Sequence, residues 1–209
     1  MIGKLITTGL LLFSILSNAQ IMAVTESGDE VILYKNNTWK YTNDSANLAI
    51  QIVKNEKLFV KNEKTTFLVK SSKTNVGTWI APQEWNFSKS KADSPSEFNF
   101  NHKSLDIYGM LIVEKAEIPV ESLVDIAYQN ALEVAPDTEI IEKEYRNVNG
   151  INVIMMKMKG TMNGVNFVYF GYYYTNVEGA FQFVTYTTLN LFKDYENDML
   201  KLLNGLTEY

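Results

Sequence analysis

The sequence predicts an α+β fold: a mainly antiparallel β-sheet sandwiched between helices, an αβα arrangement, behind a small N-terminal β-hairpin. Three observations lead there. Two amphipathic stretches, at residues 120–135 and 191–206, flank a run of long strands. Those strands are punctuated by Asn149-Gly150 and Asn163-Gly164, the dipeptides that suit type I′ hairpin turns because both central residues need positive φ. In the strand between and after these turns, Val165, Phe167, Tyr169 and Tyr173 point one way and Val168, Phe170, Tyr172 and Tyr174 the other. A strand that is apolar on both sides needs cover on both.

The chain opens with Lys4, an apolar run from Leu5 to Leu16, and Ser17-Asn18-Ala19, which places small residues where a signal peptidase reads them. Residues 1–19 are expected to be a signal peptide cleaved between Ala19 and Gln20, so the protein is expected to be exported, to the periplasm or beyond the cell. The apolar run falls short of the roughly 20 residues that cross a bilayer, and no later segment approaches that length, so no membrane span is expected. The chain holds no cysteine, which excludes a disulfide scaffold and a lipidated cysteine after the leader. The remaining chain is long enough to bury a sizeable core without such staples. A net charge of −5, with lysines scattered among glutamates, gives no electrostatic footprint for nucleic acid.

After the leader, Asp29 to Tyr34 and Thr38 to Tyr41 flank Lys35-Asn36-Asn37, a short hairpin with asparagines in the turn. Residues 20–45 thus form an N-terminal hairpin module, and residues 46–209 the α+β domain. Ala23-Val24-Thr25-Glu26-Ser27-Gly28-Asp29-Glu30-Val31-Ile32-Leu33, followed by Asn37-Thr38-Trp39-Lys40-Tyr41, resembles a short module at the mature N-terminus of many exported bacterial proteins; Asn37 stands where that module usually has glycine. Residues 43–49 are small and polar, as in a linker. Between residues 49 and 85 the strand signals are weaker, Phe67-Leu68-Val69 and Gly77-Thr78-Trp79-Ile80 being the clearest. This segment either adds strands to the main sheet or forms a small unit of its own. The serine-rich run at residues 88–96, with Pro95, reads as an exposed loop.

Phe98 and Phe100 then alternate with polar residues, and residues 107–115 make a continuous apolar strand that stops before Pro119. Val120, Leu123, Val124, Ala127 and Ala131 recur at helical spacing until Pro136 ends the run. Four strands follow, at residues 138–147, 151–159, 165–175 and 180–189, in an antiparallel meander. In the last helix, Leu191, Tyr195, Met199, Leu202 and Leu206 form one stripe, widened by Phe192 and Leu203.

The strand Ile107 to Val113, the helix start Ile118-Pro119-Val120-Glu121-Ser122-Leu123, the turn Val148-Asn149-Gly150, and the strand ending Phe183-Val184-Thr185-Tyr186-Thr187-Thr188 before a final helix together resemble the PsbP/Mog-like family, over residues 97–207. The resemblance is architectural. It implies an αβα fold and a non-enzymatic accessory that binds and helps assemble larger complexes. The partners of the family's known branches do not carry over, because none of their binding residues maps onto this chain.

The chemistry-bearing residues are few. One histidine and no cysteine exclude His/Cys zinc sites, Cys–His nucleophiles and multi-histidine metal sites, and no cofactor motif or phosphate loop occurs. His102, between a strand and a loop, reads as a structural histidine. Glu139, Glu142 and Glu144, and Glu114 with Glu117, are acids that a glycoside hydrolase would need as a pair, but such runs are ordinarily the wet face of a strand. Asp194, Glu196 and Asp198 alternate as in a calcium loop, yet lack its glycine and closing glutamate and lie in a helical pattern. Trp79, Trp85 and Phe87, around Pro82, either form a satellite core or are offered to a partner, and they are the candidate partner-binding residues. The sequence therefore leads to an exported, non-enzymatic binding or assembly accessory of the bacterial envelope whose partner is an unknown envelope protein. Two other functions stay open. One is a carrier or sensor of a small apolar ligand held between sheet and helix, with Met155, Met156, Met158 and Met162 as an adaptable wall; the other is a carboxylate-dependent glycoside hydrolase.

Overall fold

The computed structural model describes residues 21–24, 30–33, 39–41 and 52–209. The expected leader, the turn at residues 35–37 and the linker at 43–49 lie outside the described residues. The chain divides into two units, residues 1–49 and 50–209. In the first, β1 (Ile21–Val24), β2 (Glu30–Leu33) and β3 (Trp39–Tyr41) pair antiparallel in that order. The expected hairpin is β2 with β3, Leu33 opposite Trp39 and Val31 opposite Tyr41. β1 adds a third strand, Ile21 opposite Leu33, where a lone hairpin would be marginal.

The second unit contains β4 (Val53–Phe59), β5 (Phe67–Lys70), β6 (Val76–Ile80), β7 (Trp85–Lys89), β8 (Ser96–His102), β9 (Tyr108–Glu114), α1 (Val120–Val134), β10 (Glu139–Val148), β11 (Ile151–Met162), β12 (Val165–Asn176), β13 (Gly179–Thr188), α2 (Leu189–Leu203) and β14 (Leu206–Glu208). Its large sheet has eight strands in the order β4-β10-β11-β12-β13-β9-β8-β7, and a second sheet has three, β14-β6-β5. The four-strand meander β10 to β13 runs antiparallel as its turns dictate. Asn149 and Gly150 sit at φ 49° and 90°, and Asn163 and Gly164 at 51° and 79°, the double positive φ of a type I′ turn.

Six of the seven pairings in the large sheet are antiparallel, as expected, and β4 pairs parallel with β10. The sheet is not simply sandwiched between helices, which corrects the expected arrangement: α1 lies on one face, and the other is covered by α2 together with the three-stranded sheet. The reason is reach. Each helix has 15 residues, hence a length of about 22 Å, whereas eight strands span about 34 Å. The middle segment fills the shortfall in both of the ways left open for it, with β4 and β7 at the two edges of the large sheet and β5 and β6 in the small one.

The last helix stops at Leu203, so Leu206 belongs not to its stripe but to β14, paired with Thr78. Gly205 makes the switch. Its carbonyl accepts the Trp79 N–H at 2.8 Å, and a Cβ there would stand 2.0 Å from the Trp79 carbonyl oxygen. The serine-rich run is also more than a loop: Ser88 and Lys89 end β7, Ser96 begins β8, and the hydroxyls of Ser90, Ser94 and Ser96 bond one another and Asn99 around a tight connection.

Two cores result, one on each side of the large sheet. Beneath α1, Leu123, Val124 and Ala127 meet Ile154, Met156, Met158, Tyr173 and Val184. On the opposite side Met199, Leu202 and Leu203 of α2 and Val69, Val76, Ile80 and Leu206 of the small sheet meet Phe100, Leu111, Met155, Phe170, Tyr172, Phe181 and Phe183.

Candidate functional site

The cover that α1 provides stops short of the sheet's edge. Its apolar residues pack on β10 to β13 and reach Met110 of β9, leaving Tyr108 of β9 and the same face of β8 and β7 open. Register decides what is displayed there. Tyr169 of β12 stands opposite Tyr186 of β13, Tyr186 opposite Tyr108 of β9, Tyr108 opposite Asn101 of β8, and Asn101 opposite Asn86 of β7. One row of side chains therefore crosses five strands, three tyrosines followed by two asparagines. The rings touch in turn: Tyr169 and Tyr186 are tilted at 5.7 Å, and Tyr186 and Tyr108 are stacked at 5.5 Å. Tyr108, with 43% of its surface exposed, ends the aromatic part. In the next row Ser88 faces Asn99 and Asn99 faces Met110.

The row carries no charge. Burial lifts the phenol of Tyr169 above its ordinary value, and burial together with the neighbouring Tyr169 and Tyr108 does the same for Tyr186. Among the described residues, the side-chain amides of Asn86 and Asn101 and the hydroxyls of Tyr108, Tyr169 and Tyr186 make no hydrogen bond, and none of these atoms is buried without a partner. They face water. Uncharged donors and acceptors beside an exposed ring are the ingredients of a binding surface.

Sequence reasoning did not single out these tyrosines. Strand alternation alone places Tyr169 on one face of its strand. Its alignment with Tyr186 belongs to a hairpin of consecutive strands, but nothing local reveals that Tyr186 in turn stands opposite Tyr108, because β9 and β13 are distant in sequence.

The three residues singled out from the sequence are near one another in the chain but differ in fate. Trp85, 3% exposed, lies in the core, its ring edge-on to His102 at 5.0 Å. Trp79 is half-buried in β6, with the Lys61 ammonium 5.0 Å from its ring. Phe87, 40% exposed, projects from the edge strand β7 and contacts Phe67 at 5.5 Å on the edge strand β5. His102 has a structural arrangement: its Nδ1 accepts the N–H groups of Ser104 and Leu105 at 3.2 and 3.1 Å.

The acids of β10 are all matched to cations on the α2 side of the sheet. Glu139 meets Lys159 at 3.0 Å, and Lys157 lies between Glu142 at 2.8 Å and Glu196 of α2 at 2.5 Å. Glu144 accepts from Arg146 Nε at 2.7 Å and from Asn55 at 2.9 Å. Burial alone would raise the Glu144 carboxyl, but the bonds from Asn55 and Arg146 and the Arg146 charge hold it below the usual range. The Arg146 guanidinium, only 7% exposed, also lies 4.5 Å from the Phe59 ring. A general acid needs a raised, unpaired carboxyl; Glu144 is the reverse, and Glu139 and Glu142 are both ion-paired. Asp198 pairs with Lys201 along α2, and among the described residues no group of three His, Cys, Asp or Glu side chains is placed to hold a metal.

The methionines do not form one wall either. Met155 packs on the α2 side, whereas Met156 and Met158 lie beneath α1, and all three are buried. A cavity of about 40 Å³ beside Ile80, Trp85 and Leu202 and an open cleft of about 250 Å³ lined by Asp137, Glu139, Lys159, Thr161, Asn166 and Phe167 touch none of them. The first has room for little more than water, and the second is too polar and too open for an apolar ligand.

No protein-family model matches the chain, and no curated protein matches it. Solved structures do. The solution structure of cyanobacterial PsbP from Synechocystis sp. PCC 6803 is similar with a TM-score of 0.51 at 16% identity, over 68% of this chain and 92% of that one. The large unit has a PsbP-like fold. The likeness spans 68% of the chain, which is more than residues 97–207 amount to. Weaker likenesses are to PA94 of Pseudomonas aeruginosa, a protein of unknown function, with a TM-score of 0.45 at 12% identity over 68% of this chain and 96% of that one, and to LpqN, involved in cell envelope biogenesis of Mycobacterium tuberculosis, with a TM-score of 0.47 at 10% identity over 68% and 88%. At these identities the likeness is one of fold. Among the described residues no helix is long and apolar enough to cross a membrane.

Proposed function

We propose that the protein is an exported, non-enzymatic accessory of the bacterial envelope that works by binding, through the open part of its large sheet. One observation carries this: on a fold whose β10 acids are paired and whose Met155, Met156 and Met158 are buried, the row of Tyr169, Tyr186, Tyr108, Asn101 and Asn86 keeps unpaired polar groups next to an exposed ring. Export rests on the signal-like residues 1–19 and on the likeness of the next residues to a module of exported proteins. The PsbP-like fold, shared with cyanobacterial PsbP at 16% identity, is compatible with a role in binding.

The test is retention by envelope material. Protein purified as exported from its own cells is expected to co-sediment with the cell-envelope fraction. The double variant Tyr108→Ala/Tyr186→Ala should stay in the supernatant, while Phe87→Ala should sediment like the parent. Equal sedimentation of the double variant would remove the face from the function, and loss with Phe87→Ala alone would move the binding surface to the β5–β7 edge.

A further inference from the structure

Building on that reading, we infer that the ligand of the tyrosine–asparagine row is an uncharged polysaccharide chain of the cell surface. Charge is the first reason. The row Asn86, Asn101, Tyr108, Tyr186, Tyr169 and its neighbours Ser88, Asn99 and Met110 contain no acid or base, in a chain where 21% of residues are charged. A nucleic acid, an acidic glycan or a charged peptide would find no counter-charge in these two rows, and burying its charges there unpaired would be costly. A neutral ligand is the complement of a neutral surface.

Hydrogen bonding is the second reason. Each free asparagine amide offers two donors and an acceptor, and each phenol one donor and an acceptor. A rigid protein surface docking here would have to meet each of these in place, at about 1–3 kcal/mol for every one left buried and unmet. Sugar hydroxyls donate and accept, rotate freely and occur all round the ring, so they pair with such groups without a unique fit. Tyr108 supplies the remaining element. Its exposed ring stands between Tyr186 and Asn101, so the C–H face of a pyranose can pack on it while the sugar's equatorial hydroxyls reach the Asn101 amide.

Shape is the third. The row is a line across five strands, about 19 Å long at the ordinary strand spacing, and neither the cavity beside Trp85 nor the cleft beside Asp137 is lined by any of its residues. Similar groups repeating at strand spacing match a chain of repeating units better than a single small molecule, which would bury little of itself on an open face.

The probes are cellohexaose and chitohexaose as neutral chains and polygalacturonate as an acidic one, titrated calorimetrically into the protein purified as exported. A neutral hexasaccharide is expected to bind. Tyr108→Ala should weaken it by about tenfold or more, Asn101→Ala by less, and Phe87→Ala not at all, with unchanged urea midpoints showing that the variants fold. Polygalacturonate should neither bind nor compete. No binding of either neutral chain through the millimolar range overturns the inference, as does equal binding by the parent and Tyr108→Ala, or tighter binding of polygalacturonate. If the neutral chains fail while envelope sedimentation still needs Tyr108 and Tyr186, the ligand class is wrong and the envelope function stands. If sedimentation is also indifferent to the face, both fall.

Discussion

The two faces of the large sheet are finished in different ways. On the α2 side the cover has two sources, a helix and a three-stranded sheet, and it extends over the aromatic strands out to β8, where Phe98 and Phe100 are buried. Arg146 and Lys157 close its margin by laying cationic heads over Phe59 and Phe170 while holding glutamates. On the α1 side a single helix of 15 residues covers the meander and stops. What it leaves bare is built from tyrosine and asparagine rather than leucine and phenylalanine. A sheet that is apolar on both faces needs more cover than two short helices supply, and the difference is made up on one face by extra strands and on the other by a change of composition. The uncovered part is thereby free to bind.

The largest expected effect separates the faces directly. Phe183 on β13 is fully buried on the α2 side and meets Phe100 at 5.5 Å, so Phe183→Ala should cost about 4 kcal/mol in urea unfolding. Tyr108, in the next strand on the open side, should cost about 1 kcal/mol or less when changed to alanine. Similar costs at the two positions would mean that the open face is covered in solution.

A smaller effect tests how the two-part cover is held. Glu97 lies at the irregularity in the pairing of β8 with β9 and reaches the connection between β5 and β6, where its oxygens accept from Ser71 Oγ at 2.6 Å and from Ser72 N and Oγ at 2.7 Å each. Burial would raise its carboxyl, but these bonds and the nearby Lys73 charge hold it below the ordinary value. The folded state thus binds a proton less readily than the unfolded one. Its contribution is complete above the unfolded carboxyl value of about 4.3 and is lost as pH falls through the lower folded value. Glu97→Gln should therefore cost about 2 kcal/mol at neutral pH, with the gap to the parent closing in acid. A gap that is the same at every pH would show that Glu97 is not ionised in the folded protein.

Much of this architecture was legible in advance, for local reasons. Asn-Gly pairs specify their turns chemically, and the 3.6-residue spacing of Val120 to Ala131 needs no partner to be recognised. Most of the misses were long-range, the serine run being a local exception. The parallel union of β4 with β10 joins residues some ninety positions apart, and β14 exists only because Gly205 lets its backbone approach Trp79. The serine run looked like a loop because hydroxyls compete with strand ladders, yet here they bond one another at the connection from β7 to β8. Trp85 and Phe87, two apart in one strand and both aromatic, differ in exposure because β7 is an edge strand only partly overlaid by the small sheet. The tyrosine row was hidden for the same kind of reason: each ring is visible in the sequence, but their alignment is a property of register.

The smallest contrast uses two turns that the sequence makes look equivalent. Asn149 and Asn163 precede glycine with nearly the same φ, 49° and 51°. Their side chains differ in task. The Asn149 amide donates to the carbonyls of Asn204 and Leu206 at 2.8 and 2.7 Å, and its oxygen accepts the Lys61 N–H at 2.9 Å, tying the β10–β11 turn to the end of α2 and to β14. The Asn163 side chain makes no such bond among the described residues. Glycine at either site keeps the backbone conformation and removes only the side chain. Asn149→Gly should then cost about 1.5 kcal/mol, and Asn163→Gly within about 0.5 kcal/mol of nothing, by the shift in urea midpoint. Equal losses would mean that the left-handed geometry alone matters at both turns, and that the cover on the α2 side is held by apolar packing without its polar ties.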